Sequence, residues 1–331
     1  MYQHFSGKEF ENWVNKANEY GKNRVPFVFM IDFDFNKPVI KRVDEIDQSQ
    51  LLYNFNGFTN CDYIKDASKK SVELKSYPME FHKYEAAFKH VQFNEYSGNS
   101  YLTNLTFPTR VELNASLKEI FYGSQAKYNI WYQDQFVCFS PEIFVKIEDG
   151  FISSYPMKGT IDASIENAEE VILADEKEAA EHATIVDLIR NDLSMVSSNV
   201  TVEKYRYIDK IVTKQRNLLQ VSSKIIGKLG EDYNLRLGEI LVKLLPAGSV
   251  TGAPKKKTVE IIKEAEQYDR GYYCGICGYF DGYNLDSGVM IRFIENINGE
   301  YFFKSGGGIT IYSDVKSEYE ELKHKVYVPI S

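Results

Sequence analysis

Acidic pairs are the plainest chemistry-bearing residues in this sequence. Glu178 and Glu181 are three apart, as are Glu318 and Glu321, and on a helix that spacing sets both carboxylates on one face. Taken alone, each pair reads as a solvated helix face. If the two helices meet, four carboxylates repel one another unless a hard cation such as Mg²⁺ lies between them. Pro156-Met157-Lys158-Gly159-Thr160 passes from a strand into a glycine turn. It is expected to hold Lys158 at a loop tip, as a surface charge or as an amine available for chemistry.

Two further segments suit anions. Leu245 to Lys255 is rich in small residues and empties into a helix with Pro254 at its first position. Free backbone N–H groups beside Thr251 and Gly252 attract negative charge there. The phosphate-loop pattern is not met, because no Gly-Lys-Ser/Thr follows. Asn298-Gly299 is a hairpin turn, and counting outward from it brings Arg292 opposite Ser305, beside Gly306, Gly307 and Gly308. A guanidinium next to closely approachable backbone suits a carboxylate. A strand bend carrying a surface Arg fits the same residues.

Two other patterns carry no metal. Cys274-Gly-Ile-Cys277 lies among strand formers with no second Cys-x-x-Cys in the chain, so these are packed thiols rather than a zinc or redox pair. Asp32-Phe-Asp34-Phe-Asn36 resembles the start of a calcium loop, but Lys37 stands where Gly is needed and Val43 where a bidentate Glu is needed. Alternating strand polarity is expected there instead.

The elements that must position these groups follow from hydrophobic period. The first 75 residues read as short strands and loops, with a strand over Val25 to Phe33. Phe81, Tyr84, Phe88 and Val91 mark an amphipathic helix. Strands follow at Tyr101 to Phe107, Tyr128 to Tyr132, Gln135 to Phe139 and Ile143 to Ile147, then an Asp149-Gly150 hairpin into Phe151 to Tyr155. Helices are predicted from Asp175 to Met195, Asn234 to Leu245, Pro254 to Glu266 and Asp314 to Val326. Without a repeat or a Pro/Gly-rich linker, one continuous α+β unit with much antiparallel strand is the simplest architecture.

Length and charge narrow the class. At about 150 residues per domain, 331 residues make two units or one large fused one. Lys and Arg number 39 against 47 Asp and Glu, a net charge of −8 that disfavours a nucleic-acid partner. Met1 to Phe5 has neither a basic nor an apolar leader region, and no apolar run approaches the roughly 18 residues a membrane helix needs. A cytoplasmic protein without a membrane partner is expected.

In their order along the chain, these segments resemble the chorismate-utilising enzymes: anthranilate synthase component I, aminodeoxychorismate synthase component I, and the isochorismate and salicylate synthases. The resemblance rests on Ser140-Pro-Glu142, Pro156 to Thr160, Glu181-His-Ala-Thr-Ile-Val-Asp-Leu-Ile-Arg-Asn-Asp192, Gly248 to Lys255, Arg270-Gly-Tyr-Tyr-Cys-Gly275, Ile291-Arg292, Gly306-Gly-Gly-Ile309 and Ser313 to Glu321. It spans roughly residues 98 to 325. Lys158 favours the aminodeoxychorismate branch, since anthranilate synthases carry Ala there.

The resemblance implies two large, mainly antiparallel sheets packed together with helices outside. It divides the chain into a short β-rich segment, residues 1–80, integrated with a chorismate-binding catalytic region over 81–331. It implies amination of chorismate to 4-amino-4-deoxychorismate, a Mg²⁺ requirement, and ammonia from a separate glutamine amidotransferase subunit. By the same resemblance Lys158 is the nucleophile at C2 of chorismate and Glu142 the general acid/base. Glu181 and Glu321 are Mg²⁺ ligands, with Glu178 and Glu318 supporting them. Gly159, Thr160, Tyr273, Arg292 and Gly306 to Gly308 contact substrate carboxylates, and Thr251 and Lys255 lie in the substrate-side loop. The competing readings are isochorismate or anthranilate formation, and a non-catalytic chorismate-binding subunit.

The chemistry sets requirements. Hydroxide is a poor leaving group, so Glu142 must be protonated near C4. Lys158 must be neutral to attack. At a reference pKa near 10.4 about one lysine in 2,500 is neutral at pH 7, a gap of roughly 4.6 kcal/mol. Two departures from the family pattern stand out. Gln220 replaces a His near the C4 side and cannot carry a proton. The region before about residue 80 is shorter than in long relatives, so no feedback pocket is expected.

Overall fold

The computed structural model describes residues 7–61, 72–212 and 217–329. The leader region read at Met1 to Phe5 lies outside them, as does part of the segment 1–80.

Two nine-stranded sheets, antiparallel at every pairing, form the frame. The first runs, from one edge, through Met157–Asp162, Asn217–Lys228, Phe151–Ser154, Ile143–Glu148, Leu285–Val289, Ile276–Phe280, Phe27–Ile31 and Val39–Arg42, with Ser198–Val212 also paired to Asn217–Lys228. The second runs through Gly252–Ala253, Leu102–Leu113, Glu300–Ile309, Phe293–Ile297, Phe136–Ser140, Tyr128–Tyr132, Leu51–Phe55 and Phe58–Thr59, with Leu74–Tyr77 beside Leu102–Leu113. One core joins the sheets: Phe27, Phe29 and Ile276 from the first bury against Tyr53, Phe55, Tyr128 and Phe136 from the second. The fit is close at Gly288, where a Cβ would lie 2.5 Å from the Tyr128 ring.

Helices cover the outside. Phe81–Tyr96, Lys255–Glu266 and Val315–His324 lie over the second sheet, where Tyr84, Phe88, Val91, Leu105, Ile261 and Leu322 make a separate apolar cluster. Glu176–Ser194 packs on the first sheet. Its buried stripe is Glu181, His182, Ile185, Ile189 and Leu193, so Glu181 occupies a position that period alone reserves for an apolar residue. No helix among the described residues is long and apolar enough to cross a membrane.

Several expectations need correction. Lys8–Lys22, read as strand and loop, is a helix that packs on Leu237–Lys243 and buries Trp13 against Phe29 and Phe35. Phe10, Trp13, Val14 and Ala17 fall at helical spacing, so the stripe was present in the sequence and was passed over. The helix expected over Asn234 to Leu245 is confined to Leu237–Lys243 after a short turn at Tyr233–Leu235. Asp32 to Lys37 is a tight turn rather than alternating strand, because the Asp32 carboxylate accepts the N–H groups of Asn36 at 2.9 Å and Lys37 at 2.7 Å. The longest strand among the described residues, Ser198–Val212, was passed over, although Val200-Thr-Val202 and Tyr205-Arg-Tyr207 alternate as a strand does. The four cysteines are free, and Cys138, Cys274 and Cys277 are buried as packed thiols.

Candidate active site

Lys158 sits in a strand, not at a loop tip. Met157 pairs with Ser222 and Thr160 with Gln220, so the ladder is irregular where Lys158 and Gly159 lie. Gly159 takes a left-handed φ of +81° at that irregularity, a conformation that suits glycine. The distortion turns Lys158 toward the long helix, where its Nζ lies 2.6 Å from Glu181 Oε2.

Carboxylates from both acidic helices act on this amine: Glu181 and Glu178 from the long helix and Glu321 from Val315–His324. Asp175 caps the long helix by accepting the Glu178 N–H at 2.9 Å, which fixes the turn carrying Glu178. Asp314 caps Val315–His324 through the Ser317 N–H, also at 2.9 Å. Burial works against the Lys158 charge, but Glu181, Glu178 and Glu321 outweigh it and hold its pKa above the ordinary lysine value. Lys325 neutralises the far side, with Nζ 2.5 Å from Glu321 Oε1 and donating to the Gly306 carbonyl at 2.7 Å.

Among the described residues no group of three or more His, Cys, Asp or Glu side chains is arranged to hold a metal ion as it stands. The lysine ammoniums account for this, since Lys158 takes Glu181 and Lys325 takes Glu321. The donor set itself fits Mg²⁺: every side-chain donor is a carboxylate oxygen, the ligand that hard cation prefers. The backbone also keeps clear of it. A Cβ on Gly307 would lie 3.3 Å from Glu321 Oε1 and 3.4 Å from Glu318 Oε2, and one on Gly159 would lie 3.4 Å from Glu178 Oε2.

Glu142 defines the other end. It follows the strand Phe136–Ser140, its N–H donates to Ser140 Oγ at 3.1 Å, and its Oε1 accepts a hydrogen bond from Ser249 Oγ. Burial raises its pKa above the ordinary carboxylate value, opposed by Ser249, Arg292 and Lys325. A narrow cleft of ≈ 30 Å³ runs from Glu142 and Ser249 to Tyr155 and Pro156, next to the Lys158 strand.

The hairpin register holds from Ile297 opposite Glu300 to Phe293 opposite Lys304. Arg292 then leaves the ladder with φ +54°, its guanidinium 5.2 Å from the Tyr327 ring centre and its charge acting on Glu142. Gly306 to Gly308 continue as regular strand opposite Thr106, Leu105 and Asn104 rather than as a bend. Thr160 is exposed and accepts from Gln220 Nε2 at 3.4 Å, so Gln220 does stand beside the Lys158 strand.

Three candidates are engaged as scaffold. Thr251 is fully buried and donates its hydroxyl within its own loop, to Ala247 O at 2.9 Å. Lys255 donates to Asp192 Oδ2 at 2.7 Å and Leu244 O at 3.0 Å, tying the loop to the long helix. Tyr273 is buried with its ring 6.0 Å from that of Phe293. The sequence reading passed over Ser249 and Lys325, although Lys325 stands one helical turn beyond Glu321 and could have been found by that spacing. It also passed over His182, whose Nε2 lies 2.7 Å from Ser223 Oγ and whose pKa burial, Arg206 and Lys158 lower to about 4.

The two antiparallel sheets thus carry a lysine paired with a helix carboxylate on one strand and a glutamate held by Ser249 at a narrow cleft beside it. The family model for chorismate binding enzymes matches residues 15–331, and the chain belongs to that family. It is 50% identical over 320 residues to a Haemophilus influenzae protein named "Uncharacterized PabA-like protein", covering 97% of each. It is 37% identical over 202 residues to aminodeoxychorismate synthase component 1 of Bacillus subtilis, a match covering 58% of this chain and 42% of that protein. Among solved structures, anthranilate synthase component I from Streptococcus pneumoniae superposes with a TM-score of 0.66 at 26% identity, over 79% of this chain and 60% of that one. The chain thus spans less than two thirds of that longer relative.

Proposed function

We propose that this chain aminates chorismate, converting it with ammonia to 4-amino-4-deoxychorismate for 4-aminobenzoate and folate synthesis. The observation that carries this reading is Lys158, an amine carried by a strand irregularity and set 2.6 Å from the Glu181 carboxylate. It stands at the position where the aminodeoxychorismate branch resembles this sequence and the anthranilate branch does not.

In this reading the Lys158 ammonium first gives up a proton to solvent, which its 28% exposed side chain reaches, and Glu181 stays ionised. The free amine forms a C–N bond at C2, both ring double bonds shift one position round the ring, and the C4–O bond breaks. Glu142 supplies the proton that lets the C4 hydroxyl leave as water, and burial keeps that proton available. Ammonia then bonds at C4, both double bonds shift back, and the Lys158 amine departs from C2. When held by Glu178, Glu181, Glu318 and Glu321, Mg²⁺ supplies positive charge for the substrate's ring carboxylate. Arg292 adds fixed positive charge near Glu142. The ammonia comes from a separate glutamine amidotransferase subunit.

The test is purified chain with chorismate, Mg²⁺ and ammonium at mildly alkaline pH, its products separated by mass beside those of Lys158→Ala. Aminodeoxychorismate from the wild type, lost in the variant, is expected. Isochorismate or anthranilate from the wild type would overturn the branch assignment. No turnover, even with a glutaminase supplied, would leave a binding subunit.

A further inference from the structure

Lys158 and Glu181 belong to different layers, a strand and a helix, so their 2.6 Å separation depends on how those layers are joined. One join runs through Ser223, a fully buried residue of the strand Asn217–Lys228. Its N–H donates to the Pro156 carbonyl at 2.9 Å, two residues before Lys158. Its Oγ lies 2.7 Å from Nε2 of His182, the residue after Glu181 on the long helix. His182 is 1% exposed, so this bond is made in the interior, where losing it leaves a polar group unpaired. The Arg206 N–H donates to the same hydroxyl at 2.9 Å.

Arg206 extends the junction to the other side of Lys158. It takes a left-handed φ of +49° where the ladder between Ser198–Val212 and Asn217–Lys228 shifts register, between Lys204 and Tyr207. Its Nη2 donates to the Leu173 carbonyl at 2.9 Å, in the short helix Ala168–Ala174. The neighbouring Ile172 packs over Gly159, where a Cβ would lie 3.6 Å from it. The Lys158 irregularity is thus tied at Pro156 on one side and covered at Gly159 on the other, and both restraints lead back to Ser223.

Away from this junction the helix meets the sheet through apolar groups, with Ile185 and Ile189 in one core with Ile225. The polar pair falls at the turn that carries Glu181. An apolar pair would pack there too, but hydrophobic contact is non-directional and lets a helix slide on a sheet. A hydrogen bond fixes direction and distance. We propose that Ser223 and His182 are positioning residues for the amination, holding the helix turn of Glu181 in register with the strand of Lys158 and so placing the carboxylate for Mg²⁺. This rests on the amination reading.

The experiment compares the full chain with Ser223→Ala, His182→Leu, the double variant and His182→Gln, whose amide nitrogen can stand in for Nε2. With all substrates and Mg²⁺ saturating, kcat is expected to fall about tenfold in Ser223→Ala and His182→Leu, while the KM for chorismate moves less than about twofold. The double variant falls no further than Ser223→Ala, because the shared bond is already gone, and His182→Gln recovers most of the loss. Without substrate, calorimetry is expected to show Mg²⁺ bound about tenfold more weakly in both single variants. Should Ser223→Ala fail to fold, His182→Asn, too short to reach Ser223, replaces it in both measurements. Variants that melt lower but keep the wild-type kcat and Mg²⁺ affinity would make the pair a scaffold contact and overturn the proposal. So would losses that add in the double variant, or a His182→Gln variant no better than His182→Leu. If the wild type makes no aminated product, the amination reading fails, and the Mg²⁺ comparison still decides the positioning. If it aminates and the variants match it, only the positioning fails.

Discussion

Two ion pairs in this chain have the same separation and opposite surroundings. Arg270 and Glu266 meet at 2.6 Å with side chains 2% and 1% exposed, and Lys158 and Glu181 meet at 2.6 Å with side chains 28% and 7% exposed. Arg270 is saturated: it donates to both Glu266 oxygens and to the carbonyls of Val250 at 2.8 Å and Asn104 at 2.8 Å. Glu266 accepts in turn from the Thr106 N–H and hydroxyl. Lys158 has a compact ammonium and three exchangeable carboxylates in its field. The first pair locks the Val250 carbonyl, and with it the loop that carries Ser249. The second can let go. A short distance alone therefore does not separate scaffold from chemistry; the saturation of the remaining donors and acceptors does.

Breaking the saturated pair has the largest expected effect. Arg270→Leu leaves Glu266 buried and unpaired, which costs about 3–5 kcal/mol. Chemical denaturation at neutral pH measures it. A loss below about 1 kcal/mol would mean that the pair is no scaffold and would erase the contrast.

Breaking the exchangeable pair should cost the fold less. Lys158→Ala removes a partner that is 28% exposed, so its stability loss is expected to fall below that of Arg270→Leu. Its main effect should appear in cation binding. If Lys158 and Mg²⁺ compete for Glu181, the variant binds Mg²⁺ more tightly than the wild type in calorimetry without substrate. Weaker binding would show that Lys158 helps to order the carboxylates rather than to occupy them.

The same contrast explains what could be read from the sequence. The helices over Glu178 and Glu318, the strands from Tyr128 to Ser154 and the hairpin at Asn298-Gly299 were all legible, because each has a local period or turn signal. That Glu178, Glu181 and Glu321 all act on one lysine was not, since it depends on contacts between residues far apart in the chain. The strand irregularity at Gly159 was mistaken for a loop tip, because a glycine marks left-handed backbone without saying whether a ladder continues past it. Thr251 and Lys255 were legible as a loop-to-helix joint, but their hydrogen bonds to Ala247 and Asp192 belong to the fold.

The smallest expected effect lies at the opposite end of the site and sharpens the comparison by testing a carboxyl group that is meant to keep its proton. Ser249 donates to Glu142 and so favours the ionised form, against burial, which favours the acid. Ser249→Ala removes the donor and leaves the burial, so the Glu142 pKa must move upward. Carboxyl-¹³C NMR of glutamate-labelled protein can follow the titration, with Glu142→Gln assigning the resonance. That second variant should also lose about 10²- to 10⁴-fold in amination, the usual worth of a general acid, because an amide has no proton to give to a leaving hydroxide. The sign is what matters for Ser249. An upward shift means that the site balances one donor against burial to keep Glu142 protonated yet able to release. A downward shift would mean that the serine stabilises the acid form, and Glu142 would then resemble the saturated Glu266 more than the exchangeable Glu181.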